Sequence, residues 1–280
     1  MTEKMLHTKK TTEEFNLKPS PKISGSKKRW GELIVEVILL LIWVGSSVIA
    51  SQYVVGYLII WTMGSGAFDN PVVTAIFSAI SYLLAMVLII LVPPKIKRLR
   101  SKKKKEEKKL VNREELGLKG LPIWTDIGLA PVGFIAYYIL AVGLEFLFKY
   151  FPWFNVTEAQ NTGFSPYIVG NERLIALFTL VIIAPIAEEI IFRGWLYQKL
   201  KTRFSKETSY AISAVISAFL VSVLFGCVHG QWNVGVNVFA MSLVLCGLRE
   251  ITGTIYAGIL LHMLKNGVAF YFLYVVGTGW

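Results

Sequence analysis

Long apolar stretches separated by short polar segments are the feature that most constrains the fold of this chain. The first runs from Leu33 to Met63, longer than the roughly 30 Å hydrocarbon core requires, so we predict one long or tilted helix. Six more lie near residues 72–92, 126–148, 174–196, 210–229, 234–248 and 254–276, and the fourth is predicted to continue amphipathically through Tyr197 to Phe204. A composition of 54% hydrophobic and 17% charged residues excludes an ordinary soluble domain. The sequence predicts an all-α, polytopic membrane protein with about seven transmembrane helices; six or eight remain possible because the sixth stretch is short.

Basic residues are concentrated in a few segments. Residues 95–109 contain ten Lys or Arg against two Glu, and residues 1–30 contain eight against three. Beside spanning helices, such segments mark the cytoplasmic side and contact anionic lipid headgroups, which explains them better than nucleic-acid binding does. The basic loop at residues 199–207 falls on the same side when the spans are counted. We predict a cytoplasmic N-terminus, membrane lipids as partners and no nucleic-acid partner.

The chain divides into four parts. Residues 1–30 are predicted to be a disordered, basic cytoplasmic tail, and residues 31–94 to hold two transmembrane helices. Residues 95–125 are predicted to form a basic cytoplasmic loop and a segment on the membrane surface. Residues 126–280 form a membrane domain with the remaining spans. The stretch from Lys102 to Lys109 is predicted to dock the protein on anionic lipid or on a cytoplasmic partner.

Charged residues interrupt the fourth predicted span. Two adjacent carboxylates and an arginine lie within residues 184–196, and an ionisable group at membrane depth is costly unless it is paired or functional. Glu189 and Arg193 are four residues apart in the order that favours a helical ion pair, whereas Glu188 points about 100° away. Pro185 should kink the helix beside the acids. The trio predicts an intramembrane polar site, with a purely structural ion pair as the alternative.

Two of the three histidines also lie in predicted spans. His229 ends F-G-C-V-H, in which Gly226 allows another helix to approach closely, and His262 begins H-M-L-K-N, with Asn266 one turn later on the same face. A buried carboxylate can accept a proton from water, and imidazoles can bind zinc with an open water position. Asparagine and imidazole N–H groups can donate to the oxyanion of a tetrahedral intermediate. These residues favour hydrolysis by an activated water; hydrogen-bonded packing residues are the alternative.

Three motifs, E-E-I-I-F-R, F-G-C-V-H and H-M-L-K-N, follow one another in the membrane helices. In this order they resemble the signature motifs of the CPBP intramembrane proteases. That family groups the type II CAAX prenyl endopeptidases with bacterial Abi-type proteins implicated in bacteriocin processing and self-immunity. The resemblance extends over about residues 110–275 and implies that residues 126–280 are a CPBP-like catalytic membrane domain.

The resemblance implies a role for each residue of the first two motifs. Glu188 activates the attacking water, and Glu189 and Arg193 support that carboxylate. His229 holds the water or a metal ion. The reaction implied by the family is the hydrolysis of a peptide bond at membrane depth.

The third motif completes the implied site through His262 and Asn266. Members of the family are commonly described as metalloproteases, in which case Glu188, His229 and His262 are the expected zinc ligands. A glutamate mechanism without metal has also been argued for the prenyl-protease branch, and both mechanisms stay open at this point. The sequence contains no H-E-x-x-H, the motif of the soluble zincins.

The depths of these residues in the membrane set a geometric condition. Counted from the cytoplasmic loops, Glu188 is about 11 residues deep and His262 about 8, whereas His229 is about 20 residues into its span. We therefore predict that the fifth helix begins below the membrane or tilts strongly. A difference in depth of more than roughly 10 Å between His229 and Glu188 would contradict a shared site.

The sequence and the resemblance together predict an endopeptidase of the bacterial cell membrane that cleaves a membrane-associated peptide or protein. One alternative is a non-proteolytic immunity or regulatory protein that binds a peptide or membrane partner in the same pocket. Another is a proton- or ion-coupled transporter, which also uses buried acids and histidines but should show inverted repeats or paired broken helices. The sequence shows neither feature, and it does not indicate an oligomeric state.

Overall fold

A computed structural model describes residues 27–93, 112–158 and 160–277 of the chain. Within these residues the protein is helical without strands, and seven helices are long and apolar enough to cross a membrane. Their bounds are α1 Lys27–Met63, α2 Pro71–Leu91, α3 Trp124–Phe148, α4 Asn171–Phe204, α5 Tyr210–Cys227, α6 Trp232–Thr252 and α7 Tyr256–Val276. The predicted all-α, multi-span membrane fold is confirmed.

Two of the predicted parts fall largely outside the described residues. They are the basic tail, of which residues 1–26 are not described, and the lysine-rich loop at residues 94–111. The docking role of Lys102–Lys109 therefore stays a prediction. The cytoplasmic position of the N-terminus also stays a prediction, because it rests on the charge distribution alone.

The described helices follow the predicted spans with two differences in length. α1 is one continuous helix of 37 residues, as predicted. α6 has 21 residues and extends beyond its predicted bounds at both ends, so it is long enough to be a full span. α5 ends at Cys227 rather than at His229, because the chain leaves the helix through a turn that ends at Gly230. The φ angle of Gly230 is +72°, a conformation that favours glycine.

The helix α4 is in contact with both α2 and α7 and carries the charged trio between them. α6 packs against α3, α5 and α7, and the largest hydrophobic cluster extends over these helices. α1 packs against α2. Large apolar side chains on the outward faces are exposed, among them Ile38, Trp61 and Phe219, as expected where helices face lipid.

The helix α4 changes its hydrogen-bonding pattern on both sides of Pro185. Residues Phe178–Ile183 and Ile190–Leu196 are wound as π-helix, with an α-helical turn between them. A wider turn before a proline accommodates the backbone donor that proline lacks. The predicted kink at Pro185 stays a prediction.

The α4–α5 hairpin has two arms of similar length. Sixteen residues separate Glu188 from Phe204 at the end of α4, and nineteen separate Tyr210 from His229. The arms match because α4 continues as a helix beyond its apolar stretch, and these last turns pack against α5. The extension of α4 therefore removes most of the difference in depth that the sequence suggested.

The described segment before α3 packs against the membrane domain. Leu116 is buried, and its carbonyl oxygen lies 2.9 Å from the position that a Cβ would take at Gly194. The Arg249 guanidinium in α6 donates to the Glu115 carbonyl at 3.2 Å. These contacts anchor Glu115 and Leu116, whereas Leu121 and Ile123 are exposed. The position of this segment on the membrane surface stays a prediction.

Candidate active site

A buried ion pair forms the inner side of the candidate site. Arg193 Nη1 donates to Glu189 Oε1 at 2.9 Å, and both side chains are fully buried, as their four-residue spacing predicts. His262 Nδ1 lies 3.1 Å from the same Glu189 oxygen. The Arg193 guanidinium also lies 4.4 Å from the centre of the Phe225 ring, a cation–π contact. The Glu189 carboxylate is therefore occupied by its contacts with Arg193 and His262.

Glu188 points away from this ion pair, toward α2 and α7. Its Oε1 accepts a hydrogen bond from the Tyr82 hydroxyl of α2 at 2.5 Å, and its Oε2 lies 3.7 Å from His262 Nε2. The Glu188 side chain keeps 13% of its surface accessible, whereas Glu189 keeps none. Glu188 is therefore the carboxylate of the pair that water and a substrate can reach.

His229 approaches the same region from the turn between α5 and α6. Its Nδ1 lies 2.7 Å from the Phe225 carbonyl oxygen and must be the donor, because a carbonyl only accepts. The neutral ring consequently has a lone pair at Nε2. The Phe225 ring contacts both imidazoles, with ring centres 4.9 Å from His229 and 6.1 Å from His262. Because the same Phe225 ring also lies against the Arg193 guanidinium, the three motifs meet in one region.

Polar contacts from the loop after α3 hold the turn that carries His229. The Asn161 N–H donates to the Gln231 side chain at 2.8 Å, and the Asn233 amide donates to the Glu158 carbonyl at 2.6 Å. Both contacts join positions at least 70 residues apart in sequence. They fix the position of the imidazole relative to the rest of the domain.

Glycine lets α5 and α6 approach closely beside this turn. A Cβ at Gly226 would lie 2.8 Å from the Gly235 carbonyl oxygen, and a Cβ at Gly235 would lie 3.1 Å from the Gly226 carbonyl oxygen. Backbone therefore meets backbone at the crossing, as is common where small residues face each other in membrane helices. The close approach predicted at Gly226 is present, and α6 is the partner.

The hydrogen bond of Asn266 is with the backbone of α4. Its Nδ2 donates to the Leu180 carbonyl at 2.9 Å. In the π-helical turn each carbonyl accepts from the N–H five residues later, as the Thr179 carbonyl does from Ala184. The Leu180 carbonyl would accept from Pro185 in this pattern, but proline has no N–H. Asn266 supplies the missing donor and joins α7 to α4. The role of Asn266 in completing the site with His262 stays a prediction.

Two residues of the site, Tyr82 and Lys265, were not predicted from the sequence. Tyr82 lies on α2, outside all three motifs, and only the fold brings it to Glu188. Lys265 lies inside H-M-L-K-N, is 4% exposed and follows His262 by one turn on the buried face of α7. A lysine within an apolar span was the signal that could have identified it.

The residues expected to bind zinc, Glu188, His229 and His262, do not form a ligand set in this arrangement. Nowhere in the described ranges do three His, Cys, Asp or Glu side chains come together as metal ligands. Glu188 Oε1 already accepts a hydrogen bond from the Tyr82 hydroxyl at 2.5 Å. The arrangement therefore does not fit the expected zinc site, which stays a prediction that chelation can test.

A comparison with protein families supports the reading of the motifs. Residues 170–268 match the model of the family described as Type II CAAX prenyl endopeptidase Rce1-like. The chain contains an Rce1-like domain. This domain covers α4, α5, α6 and the larger part of α7, and it includes every residue that the three motifs supplied, so the predicted resemblance is confirmed over this segment. No curated protein and no solved structure matches the chain.

Proposed function

We propose that this protein is an intramembrane endopeptidase that hydrolyses a peptide bond of a membrane-associated peptide or protein. The observation that carries the proposal is the accessible Glu188 carboxylate, which faces His262 while the neighbouring Glu189 is sealed in an ion pair. The Rce1-like domain points to endopeptidase activity of the CAAX type. Sequence motifs, family and geometry thus favour the same reaction.

In the proposed mechanism Glu188 accepts a proton from a water molecule, whose oxygen attacks the carbonyl carbon of the scissile bond. The lone pair at Nε2 of His229 orients that water by accepting its second hydrogen. His262 Nε2 lies 3.7 Å from Glu188 Oε2 and helps to position that carboxylate. The tetrahedral intermediate then re-forms the carbonyl and expels the amine, which takes the proton from Glu188.

Surrounding groups fix the orientation of these three side chains. The Tyr82 hydroxyl holds Glu188 through Oε1, which leaves Oε2 directed toward His262. Glu189 accepts from Nδ1 of His262 and so fixes the orientation of the ring, with Nε2 toward Glu188, as the carboxylate does in a catalytic triad. The reacting groups are thereby preorganised before a substrate arrives.

The test is cleavage of a peptide library by the purified protein in detergent, with Glu188→Gln as the diagnostic variant. Removing the general base should lower kcat by about 10²–10⁴-fold. Glu145→Gln is the matched control, because Glu145 is a span carboxylate that accepts a hydrogen bond from Asn237 in α6. Equal activity of wild type and Glu188→Gln would overturn the mechanism. Peptide binding by both without cleavage would favour an immunity or regulatory protein.

The same cleavage assay with and without a chelator distinguishes a glutamate mechanism without metal from a zinc-dependent mechanism. Cleavage that is indifferent to chelation is expected if Glu188 alone activates the water. Loss of cleavage that zinc restores would instead support the ligand set Glu188, His229 and His262 implied by the family, and would require these side chains to rearrange from the positions described above.

A further inference from the structure

A short segment before α3 touches α4 beside the buried ion pair. This segment, residues 112–120, is called the strap below. Its Leu116 belongs to the largest hydrophobic cluster, and the Leu116 carbonyl oxygen lies 2.9 Å from the position that a Cβ would take at Gly194. Gly194 directly follows Arg193, the partner of Glu189. The strap therefore contacts the α4 backbone next to the inner side of the candidate site.

The Arg249 guanidinium in α6 holds the strap in place. Its Nη2 donates to the Glu115 carbonyl at 3.2 Å, and its Nη1 donates to the Gly253 carbonyl in the turn between α6 and α7. The guanidinium also lies against Gly117, where a Cβ would be 2.7 Å from Arg249 Cζ. These two hydrogen bonds end on backbone carbonyls, and a charged donor makes stronger hydrogen bonds than a neutral one. Arg249 thus ties the strap to the α6–α7 turn.

Two hydrogen bonds from the start of α7 also reach the strap. The Ile255 N–H donates to the Gly117 carbonyl at 3.2 Å, and the Tyr256 hydroxyl donates to the Gly120 carbonyl at 2.8 Å. Tyr256 is the first residue of α7, the helix that carries His262. The strap therefore joins α6 and α7 to α4 at one end of the bundle.

The part of α4 that contacts the strap has an unusual winding. Residues Ile190–Leu196 form a π-helix, which is rare and frequently marks a functional site. Rewinding this segment as α-helix would rotate its two ends relative to each other by about 100°, the angle between successive residues. A neighbour of Gly194 would then face the Leu116 carbonyl, and both neighbours, Arg193 and Trp195, carry a Cβ for which that carbonyl leaves no room. The docked strap therefore excludes the rewound helix.

We propose that Arg249 is a positioning residue of the active site and acts through the strap, an inference that deepens the proposed function. Arg249 keeps the strap against Gly194, and the strap keeps Ile190–Leu196 in its π-helical winding. Glu188 and Glu189 directly precede that segment, so its winding sets the direction in which both carboxylates face His262. Release of the strap lets α4 rewind and turns the carboxylates out of these contacts.

The first test is Arg249→Met, which removes the charged donors and keeps an unbranched side chain. kcat should fall by about 10²-fold with KM little changed, because reacting groups displaced by about 1 Å lose that much rate. Arg249→Lys, which can still donate to one carbonyl, should recover part of the loss. Arg173→Met is the matched control, because the Arg173 Nε also donates to a backbone carbonyl, that of Ile168 at 2.8 Å, but near the opposite end of α4. The control should retain the wild-type kcat.

A second measurement follows the carboxylates without any substrate. An apolar carbodiimide labels carboxyl groups that it can reach, and mass spectrometry of the labelled peptide locates the product. Glu189 has no accessible surface in the wild type and should stay unlabelled. In Arg249→Met it should become labelled at unchanged helix content, and hydrogen exchange of residues 112–120 should become faster because the strap is released. Faster exchange with unchanged labelling and unchanged kcat would show that the strap is only an attachment and would overturn the proposal.

A variant on the strap itself keeps the proposal testable if Arg249→Met folds less well. Gly117→Ala places a Cβ against the Arg249 guanidinium, at a φ angle of +76°. Gly64→Ala is its control, because Gly64 has a φ angle of +84° with no atom within 4 Å of the Cβ position. Gly117→Ala should reproduce the loss of kcat and the labelling of Glu189, and Gly64→Ala should show neither. Equal behaviour of the two variants would contradict the proposal.

The two kinds of measurement distinguish failure of this inference from failure of the proposed function. If the wild type cleaves peptides and Arg249→Met cleaves them with a kcat within about threefold of wild type, the hydrolase stands and the role of Arg249 fails. If the wild type cleaves no peptide, the proposed function fails. Labelling of Glu189 and exchange of the strap then still decide whether Arg249 holds the carboxylates in position.

Discussion

Glu188 and Glu189 are adjacent in sequence but have opposite surroundings. On a helix neighbouring side chains point about 100° apart, so one carboxylate enters the protein interior and the other faces the site. Glu189 meets Arg193 and His262 with no accessible surface, whereas Glu188 keeps an accessible edge. The dipeptide thus combines a buried, ion-paired acid and an accessible acid within one turn of α4.

Arg193→Ala should lower the free energy of unfolding by about 3–5 kcal/mol, because it leaves the Glu189 charge buried without its partner. Unfolding in mixed micelles by titration with denaturing detergent, followed by circular dichroism, measures the change. Arg203→Ala is the control: that side chain is 32% exposed, pairs with Glu36 at 3.4 Å and should contribute about 0–1 kcal/mol. Similar losses in the two variants would contradict the prediction.

Tyr82→Phe should lower kcat by roughly 10- to 100-fold with little change in KM, because a hydrogen bond to a charged group contributes about 1.5–3 kcal/mol. Steady-state cleavage measures both constants. Tyr137→Phe provides the comparison, since Tyr137 is also buried and donates to Asn237 at 2.6 Å, away from the three motifs. If both variants lose the same activity, Tyr82 does not act through Glu188.

The site could be predicted from the sequence as far as its motifs extend. The spacing of Glu189 and Arg193 predicts their ion pair, because one helix determines it. Tyr82 could not be predicted, because its contact with Glu188 joins positions 106 residues apart and no local pattern marks it. The hydrogen bond of Asn266 also could not be predicted from the sequence, since it depends on the π-helical turn before Pro185.

At the scale of elements, the apolar stretches predicted which segments cross the membrane but not where the helices end. The amphipathic continuation of α4 to Phe204 was predicted, whereas α5 stops before His229 and α6 extends beyond its apolar stretch at both ends. Hydropathy reports the part of a helix that lies in lipid, whereas the helix itself continues as long as its backbone is hydrogen-bonded. The predicted difference in depth between Glu188 and His229 arose from this distinction.

Gly226→Ala should separate α5 from α6, because the new Cβ would lie 2.8 Å from the Gly235 carbonyl oxygen. We expect a loss of about 1–3 kcal/mol in the free energy of unfolding and lower activity, since His229 follows three residues later. Thermal unfolding and cleavage assays measure the two effects. Gly247→Ala, with no atom within 4 Å of its Cβ position, should be neutral or slightly stabilising. Unchanged activity in Gly226→Ala would contradict the role of the crossing.

At the scale of the whole molecule, the charge distribution predicts the orientation of the bundle. Ser205, exposed in the turn between α4 and α5, should be cytoplasmic, and Ser165, exposed in the loop after α3, should be external. Single cysteines at these positions, in a background without Cys227 and Cys246, can be labelled with a membrane-impermeant maleimide. Labelling of Ser165→Cys in intact cells and of Ser205→Cys only in inverted vesicles is expected; the reverse pattern would invert the topology.

The four charged groups of the site add to zero when the imidazoles are neutral, since Glu188 and Glu189 are matched by Arg193 and Lys265. They are divided unequally, because α4 carries both acids and one base whereas α7 carries only Lys265. Each helix alone would hold an unbalanced charge in lipid. In a related protein that has lost catalysis and has replaced Glu188, the Lys265 charge would lack its balancing acid. We therefore expect the two residues to be replaced together in such proteins.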